Sequence, residues 1–343
     1  QPQALTLEAR ILIERDANEP LKRIEAVLED QPDNSKLRLQ YAQLLTRSSM
    51  IAARQQFEIL ASDTPNNGDL LFSLALINRE MGNNADAKAN LQIMLDKDLR
   101  TDEAHYYMGR ILEDEKDLKG AIAQYMAVEG GRDFLSANSR IGAILLATNQ
   151  ADQNHIYLND LRSKYPLRKE QLYGLEVEML TRSGDLDAAM SILNIALRAM
   201  PESTTLRYTR SMLGERQNNM ALMESDLREI IHREPDNVTA LNALGYTLAN
   251  RTDRYAEAFV LISRALKLAP EEPAILDSMG WILYRQGMYS EAVEYLSRAY
   301  AKFPDAEVAA HLGEVLWVSG DTATALSIWQ GAILKDPNHQ VLV

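Results

Sequence analysis

Residues 238–250 read VTALNALGYTLAN, and AEAFVLISRALKLAP follows at 256–270. The next segment repeats the pattern as EPAILDSMGWILYRQG at 272–287 and SEAVEYLSRAYAKFP at 290–304. Each copy has an apolar-periodic helix with a central glycine (Gly245, Gly280), a short polar turn, and a second helix that opens near an alanine (Ala258, Ala292). Each ends on a proline, Pro270 or Pro304. Leu276, Met279 and Leu283 share one face at the i, i+3, i+4 spacing. Leu296 and Ala299 supply the answering face. Gly280 and Ala292 fall where the two helices cross, so the unit works by size matching. The closing proline lacks an N–H and restricts the residue before it, which stops the helix.

The closing prolines extend this unit along the chain. Pro166, Pro201, Pro235, Pro270, Pro304 and Pro337 stand 33 to 35 residues apart, and Pro32 and Pro65 are 33 apart. Between Pro65 and Pro166 two closings lack proline, near Asp98-Leu99 and at Gly130-Gly131, where glycine can end a helix in the left-handed conformation. The register predicts ten helical pairs. We divide them into N-terminal repeats at 1–132, irregular middle repeats at 133–235 and well-matched repeats at 236–337, with a truncated cap at 338–343. The crossing positions include Gly109 and Ala121 in the fourth pair and Gly313 and Ala325 in the tenth. In the fifth, Asn154 stands where alanine is expected. In the seventh, Ser211 and Met223 replace the small pair, and Met200, Met212, Met220 and Met223 suggest a loose core. A run of basic and polar residues, LRSKYPLRKEQL, joins the fifth pair to the sixth and reads as a surface turn.

Composition excludes several function classes. The chain has 343 residues, 46% of them apolar and only 6% aromatic, with a net charge of −13. That charge argues against a nucleic-acid surface, which needs clustered Lys and Arg. Cysteine is absent, so there is no disulfide, thiolate metal site or cysteine nucleophile. The longest apolar run, IGAILLA at 141–147, is far short of the roughly 20 residues that span a bilayer. No phosphate-binding loop, nucleophile elbow, HExxH or EF-hand pattern occurs. His311 and Glu314 lie at i, i+3, and without further ligands nearby they read as a solvated pair. The sequon Asn237-Val238-Thr239 sits at a helix start, where asparagine caps. No enzyme activity, metal or cofactor is expected.

What remains is an inner face of first helices. Residues three before, one after and four after the crossing position should line it. In the fourth pair these are Tyr106, Arg110 and Glu113; in the eighth, Asn242, Tyr246 and Ala249. In the ninth they are Asp277, Trp281 and Tyr284, with Arg285 beside them; in the tenth, Ala310, Glu314 and Trp317. Amides, aromatics and charges together suit an extended peptide. The competing reading is that the aromatics pack against the next repeat. It weighs more for Trp317 and Tyr284 than for Trp281 and Tyr246.

These features resemble the tetratricopeptide repeat, a helix–turn–helix unit of about 34 residues. The resemblance implies an all-α solenoid, a right-handed superhelix of about ten repeats with first helices on its concave side. Within that family, LNALGYTLANRTDRY, PAILDSMGWILYRQGMYSEAVEYL and AEVAAHLGEVLWVSGD look like a bacterial group of outer-membrane lipoprotein adaptors. Such adaptors face the periplasm, bind a carboxyl-terminal processing protease and deliver peptidoglycan hydrolases to it. The family's concave asparagine maps onto Asn242, with Asp277 and Ala310 at the equivalent positions. The superfamily's clamp for a C-terminal carboxylate uses several Lys, Arg and Asn, and only Arg110 and Arg285 stand near suitable places here. The sequence opens QPQALT, without methionine or the family's lipidated cysteine, so an N-terminal lipid anchor, the only expected membrane contact, would belong to sequence upstream. The end at DPNHQVLV suggests that the natural chain runs on. An alternative reading is an assembly factor for an envelope or pilus machine.

Overall fold

The structure is a computed structural model that describes residues 19–336. The helix expected through LTLEARILIER, Pro337 and the cap at 338–343 lie outside the described residues. Those residues form nineteen α-helices and one short 3₁₀ turn, with no strand among them. The single helix α1 (Glu19–Asp30) comes first. Nine hairpins follow: α2 (Ser35–Leu45) with α3 (Met50–Asp63), α4 (Gly68–Glu80) with α5 (Asn84–Asp96), and α6 (Thr101–Asp114) with α7 (Leu118–Met126). Next are α8 (Phe134–Ala147) with α9 (Ala151–Lys164), α10 (Lys169–Arg182) with α11 (Leu186–Ala199), and α12 (Thr204–Arg216) with α13 (Met220–Arg233). The last three are α14 (Val238–Arg251) with α15 (Tyr255–Leu268), α16 (Pro273–Arg285) with α17 (Tyr289–Lys302), and α18 (Ala306–Ser319) with α19 (Thr322–Lys335). The architecture is an α-solenoid built from helical hairpins. It divides into two compact units, with the boundary between Met179 and Leu180.

Helix starts follow from side-chain caps. Asn34, Ser203, Asn237 and Asp305 each accept a hydrogen bond from the backbone N–H three residues on. This satisfies a donor that the first turn leaves without a partner. Asn237 is thus used as a cap. The turns inside hairpins are as regular. Gly82, Gly184, Gly287 and Gly320 take positive φ there, and so do Lys116, Asn149 and Asn218. In each case the crossing residue of the second helix lies five positions later. The hairpin of α14 and α15, with one extra turn residue, has no positive φ among residues 251–255.

The crossings are tight because the glycines have no Cβ. A Cβ at Gly280 would meet Leu296 Cγ at 2.5 Å and the Ala292 carbonyl at 3.1 Å. One at Gly245 would meet Ile262 at 2.6 Å, and one at Gly109 the ring of Tyr125 at 2.6 Å. At Gly313 it would land on the Trp329 indole. In the second unit this matching produces one continuous buried cluster from Met223 to Ala325. Burying each Leu or Ile there contributes about 1.5–3 kcal/mol.

The irregular repeats solve the crossing with polar residues. Glu176 of α10 stands ten residues after Pro166, the offset of Gly245 and Gly280 from their prolines. Its carboxylate is buried, and Arg162 Nη1 and His155 Nδ1 both lie 2.7 Å from it. The Arg162 guanidinium also sits over the Tyr173 ring at 4.2 Å. Asn154 is buried too, with its amide nitrogen 3.8 Å from the Met179 sulfur. In the hairpin of α12 and α13 Ser211 and Met223 are fully buried. Asp226 is held there by both Nε and Nη2 of Arg210 at 2.7 Å. The run at 161–172, expected as a surface turn, is mostly helix ends: only Pro166–Arg168 forms a short 3₁₀ turn, with Leu167 fully exposed, while Leu161, Arg162 and Leu172 are buried in α9 and α10.

Candidate protein-binding site

The second unit carries two adjoining cavities on its first-helix side, of about 770 Å³ and 810 Å³. The first is walled by α12, α14, α16 and the start of α18. The second is walled by α14, α16, α18 and α19. Tyr246 and Glu307 belong to both, and the Tyr246 hydroxyl donates to Glu307 at 3.1 Å. Burial, then the Glu307 carboxylate, pushes the Tyr246 hydroxyl well above its ordinary value.

The residues three before and one after each crossing line these cavities. Asn242 and Tyr246 do so from α14, Asp277 and Trp281 from α16, and Ala310 and Glu314 from α18. The positions four after the crossing in α14, α16 and α18 behave differently. Ala249 is fully buried. Tyr284 leans away to donate to Glu314 at 2.8 Å. Trp317 is 47% exposed and faces Trp329 with centroids 5.9 Å apart.

Several expectations are corrected by these positions. His311 and Glu314 are not a solvated pair. His311 is buried, and both Asp277 carboxylate oxygens lie within 3.0 Å of its Nδ1. Trp281 stacks on the His311 ring at 4.3 Å and is only 8% exposed. Repeat-to-repeat packing therefore takes the indole face that was expected to be free for a ligand, whereas Trp317 is open. Arg285 is spent elsewhere, donating to the Tyr255 hydroxyl at 2.7 Å. In the first unit, Arg110 Nη1 lies 3.5 Å from the Tyr106 hydroxyl. Glu113 there is bonded by Arg140 and by the Tyr125 hydroxyl. Neither arginine is set up as part of a carboxylate clamp.

Burial lowers the His311 pKa, but the hydrogen bond and charge of Asp277, with Glu307 and Glu314, raise it more, so the net shift is upward. Two polar atoms at the cavity walls have no hydrogen-bond partner: the Trp281 indole N–H and the Asn242 side-chain oxygen. Among the described residues, no group of three or more metal-ligating side chains comes together. Nor is any described helix long and apolar enough to cross a membrane.

A family model described as tetratricopeptide repeat matches residues 72–133, 224–273 and 278–339, just over half of the chain. The chain belongs to the tetratricopeptide-repeat family. It is 49% identical over 213 residues to the TPR repeat-containing protein PA4667 of Pseudomonas aeruginosa, covering 62% of this chain and 36% of that protein. It is 28% identical over 116 residues to Tetratricopeptide repeat protein 13 of Homo sapiens, 33% of this chain and 14% of that one. The chain thus spans little more than a third of the first relative's length and far less of the second's. A tetratricopeptide repeat protein of known structure from Parabacteroides merdae superposes with a TM-score of 0.50 at 16% identity, over 71% of this chain and 96% of that one. That likeness is one of fold alone.

Tyr208, Met212 and Glu215 also wall the first cavity; the sequence reading passed over Tyr208 and Glu215 and placed Met212 in a loose core. They stand three before, one after and four after Ser211. The same offset rule yields them once Ser211 is accepted as a crossing residue of a tetratricopeptide repeat. Glu307, His311 and Trp329 follow no such offset. They reach the second cavity from α18 and α19 at positions outside that rule.

Proposed function

We propose that this tetratricopeptide-repeat chain is a protein-binding scaffold, and that its role is that of a periplasmic lipoprotein adaptor. The adaptor holds a carboxyl-terminal processing protease and presents peptidoglycan hydrolases to it. The observation that carries the scaffold reading is the pair of adjoining cavities in the second unit. Successive first helices wall both, joined by α19 in the second, and an indole donor and an amide acceptor at those walls are unpartnered. A peptide backbone supplies one acceptor and one donor per residue, which is what those two groups lack. The finer reading is supported by the likeness of residues 241–255, 273–296 and 306–321 to the adaptor group.

No catalytic step is needed from such a protein. Bringing protease and substrate onto one surface raises their effective concentration to about the mM range for short spans. The anchor and the periplasmic location are part of the same proposal. The test is a degradation assay with purified protease and a purified cell-wall hydrolase. Adding this chain is expected to raise the initial rate about tenfold or more at low micromolar reactants. An unchanged rate, with neither protein bound to the chain, contradicts the adaptor role.

A further inference from the structure

Resting on the reading that this chain binds other polypeptides, we propose that the cavity-bearing face of the second unit takes an extended segment rich in lysine or arginine. The walls of the two cavities carry Glu215, Glu272, Asp277, Asp305, Glu307 and Glu314, and no Lys or Arg. The rest of the same unit is built differently. Glu224 pairs with Arg254, Glu257 with Arg228, and Glu271 with Lys302. Among the described residues, none of the six wall carboxylates forms an ion pair with Lys or Arg. Asp277 faces His311, Glu307 and Glu314 accept from tyrosine hydroxyls, and Asp305 caps α18. Carboxylates without Lys or Arg partners at a recess concentrate negative potential there and draw a cationic partner.

Two further features fit the same occupant. Tyr208, Tyr246 and Phe303 stand among the carboxylates, and aromatic faces attract ammonium and guanidinium groups. Trp281 is 8% exposed, lines the second cavity, and its N–H has no acceptor. The Asn242 side-chain oxygen in the wall of the first cavity is likewise buried without a donor. An acidic segment or a free C-terminal carboxylate meets repulsion at the same walls, and Arg285 is held away on Tyr255.

The test passes a positional-scanning library of N-acetylated, C-amidated nonapeptides over the immobilised full chain. Lysine and arginine are expected to be enriched over Asp and Glu in the retained pool at least fivefold. Retention should fall more than tenfold between 50 mM and 500 mM salt, since screening shortens the reach of these charges. Glu307→Gln with Glu314→Gln keeps the acceptors for the two tyrosines and should abolish the enrichment. Asp63→Asn with Glu80→Gln removes the same net charge from exposed positions in the first unit and should leave it intact. If the first pair lowers the thermal melt, Glu215→Gln with Glu272→Gln serves instead. A neutral or acidic pool, no retained pool, or equal effects of the groove and control pairs overturns the proposal. If protease and hydrolase still bind the chain under that outcome, the adaptor reading stands and only the charge assignment falls.

Discussion

Gly280 has no room for a side chain. A Cβ there would lie 2.5 Å from Leu296 Cγ and 3.1 Å from a backbone carbonyl. The side chain can shift and the carbonyl can shift little. Gly280→Ala is therefore expected to cost about 1–3 kcal/mol, the usual penalty of overpacking, measured by urea denaturation. Leu296→Ala should cost less in that background than in the wild type, because the two changes share one contact. His311 makes a second prediction at this scale. Its net pKa is raised above the ordinary value by Asp277, with Glu307 and Glu314 beside it, although burial works against it. The folded state thus holds the proton more tightly than the unfolded state. The resulting stability is fully present below the unfolded value of about 6.5 and is lost as pH rises through the higher folded value. The melting temperature should fall across that window, and His311→Gln should flatten the fall. Trp281→Ala is a poor probe of binding alone. The buried, stacked indole implies a stability loss of about 3–5 kcal/mol on truncation.

At the scale of helices, the regular hairpins were legible because spacing and size are local properties. The proline ruler, the glycine and the alanine can be read without knowing any partner. The central hairpins resist that reading. Glu176 occupies a glycine position and is buried only because Arg162, fourteen residues earlier on the preceding helix, reaches it. Nothing in the ruler pairs two charges across that distance. Arg162→Met leaves the carboxylate with His155 alone, and a loss of about 3–5 kcal/mol is expected. Changing Glu176→Leu in the same chain should recover most of it, since an apolar pair of similar volume avoids the desolvation cost. A double variant as unstable as the single one would show that the pair has no such coupling. The groove was legible in part for a related reason. Positions three before and one after each crossing point to one side of the first helices. At four after the crossing the outcome varies: Tyr284 finds Glu314, Ala249 enters the core, and Glu215 stays on the cavity wall.

For the molecule as a whole, stability should be nearly a sum over repeats and their nearest neighbours. The hairpins from 134 to 233 depend on buried polar pairs. They are expected to exchange their amide hydrogens faster than α14 to α17, whose core is continuous and apolar. Equal protection throughout would contradict that ordering. The central claim is that polypeptides bind along the first helices of the second unit. Hydrogen exchange with and without a bound protease or hydrolase tests it most directly. Protection is expected in α12, α14, α16 and α18, with α15 and α17 unchanged. Protection confined to α15 and α17 would contradict it.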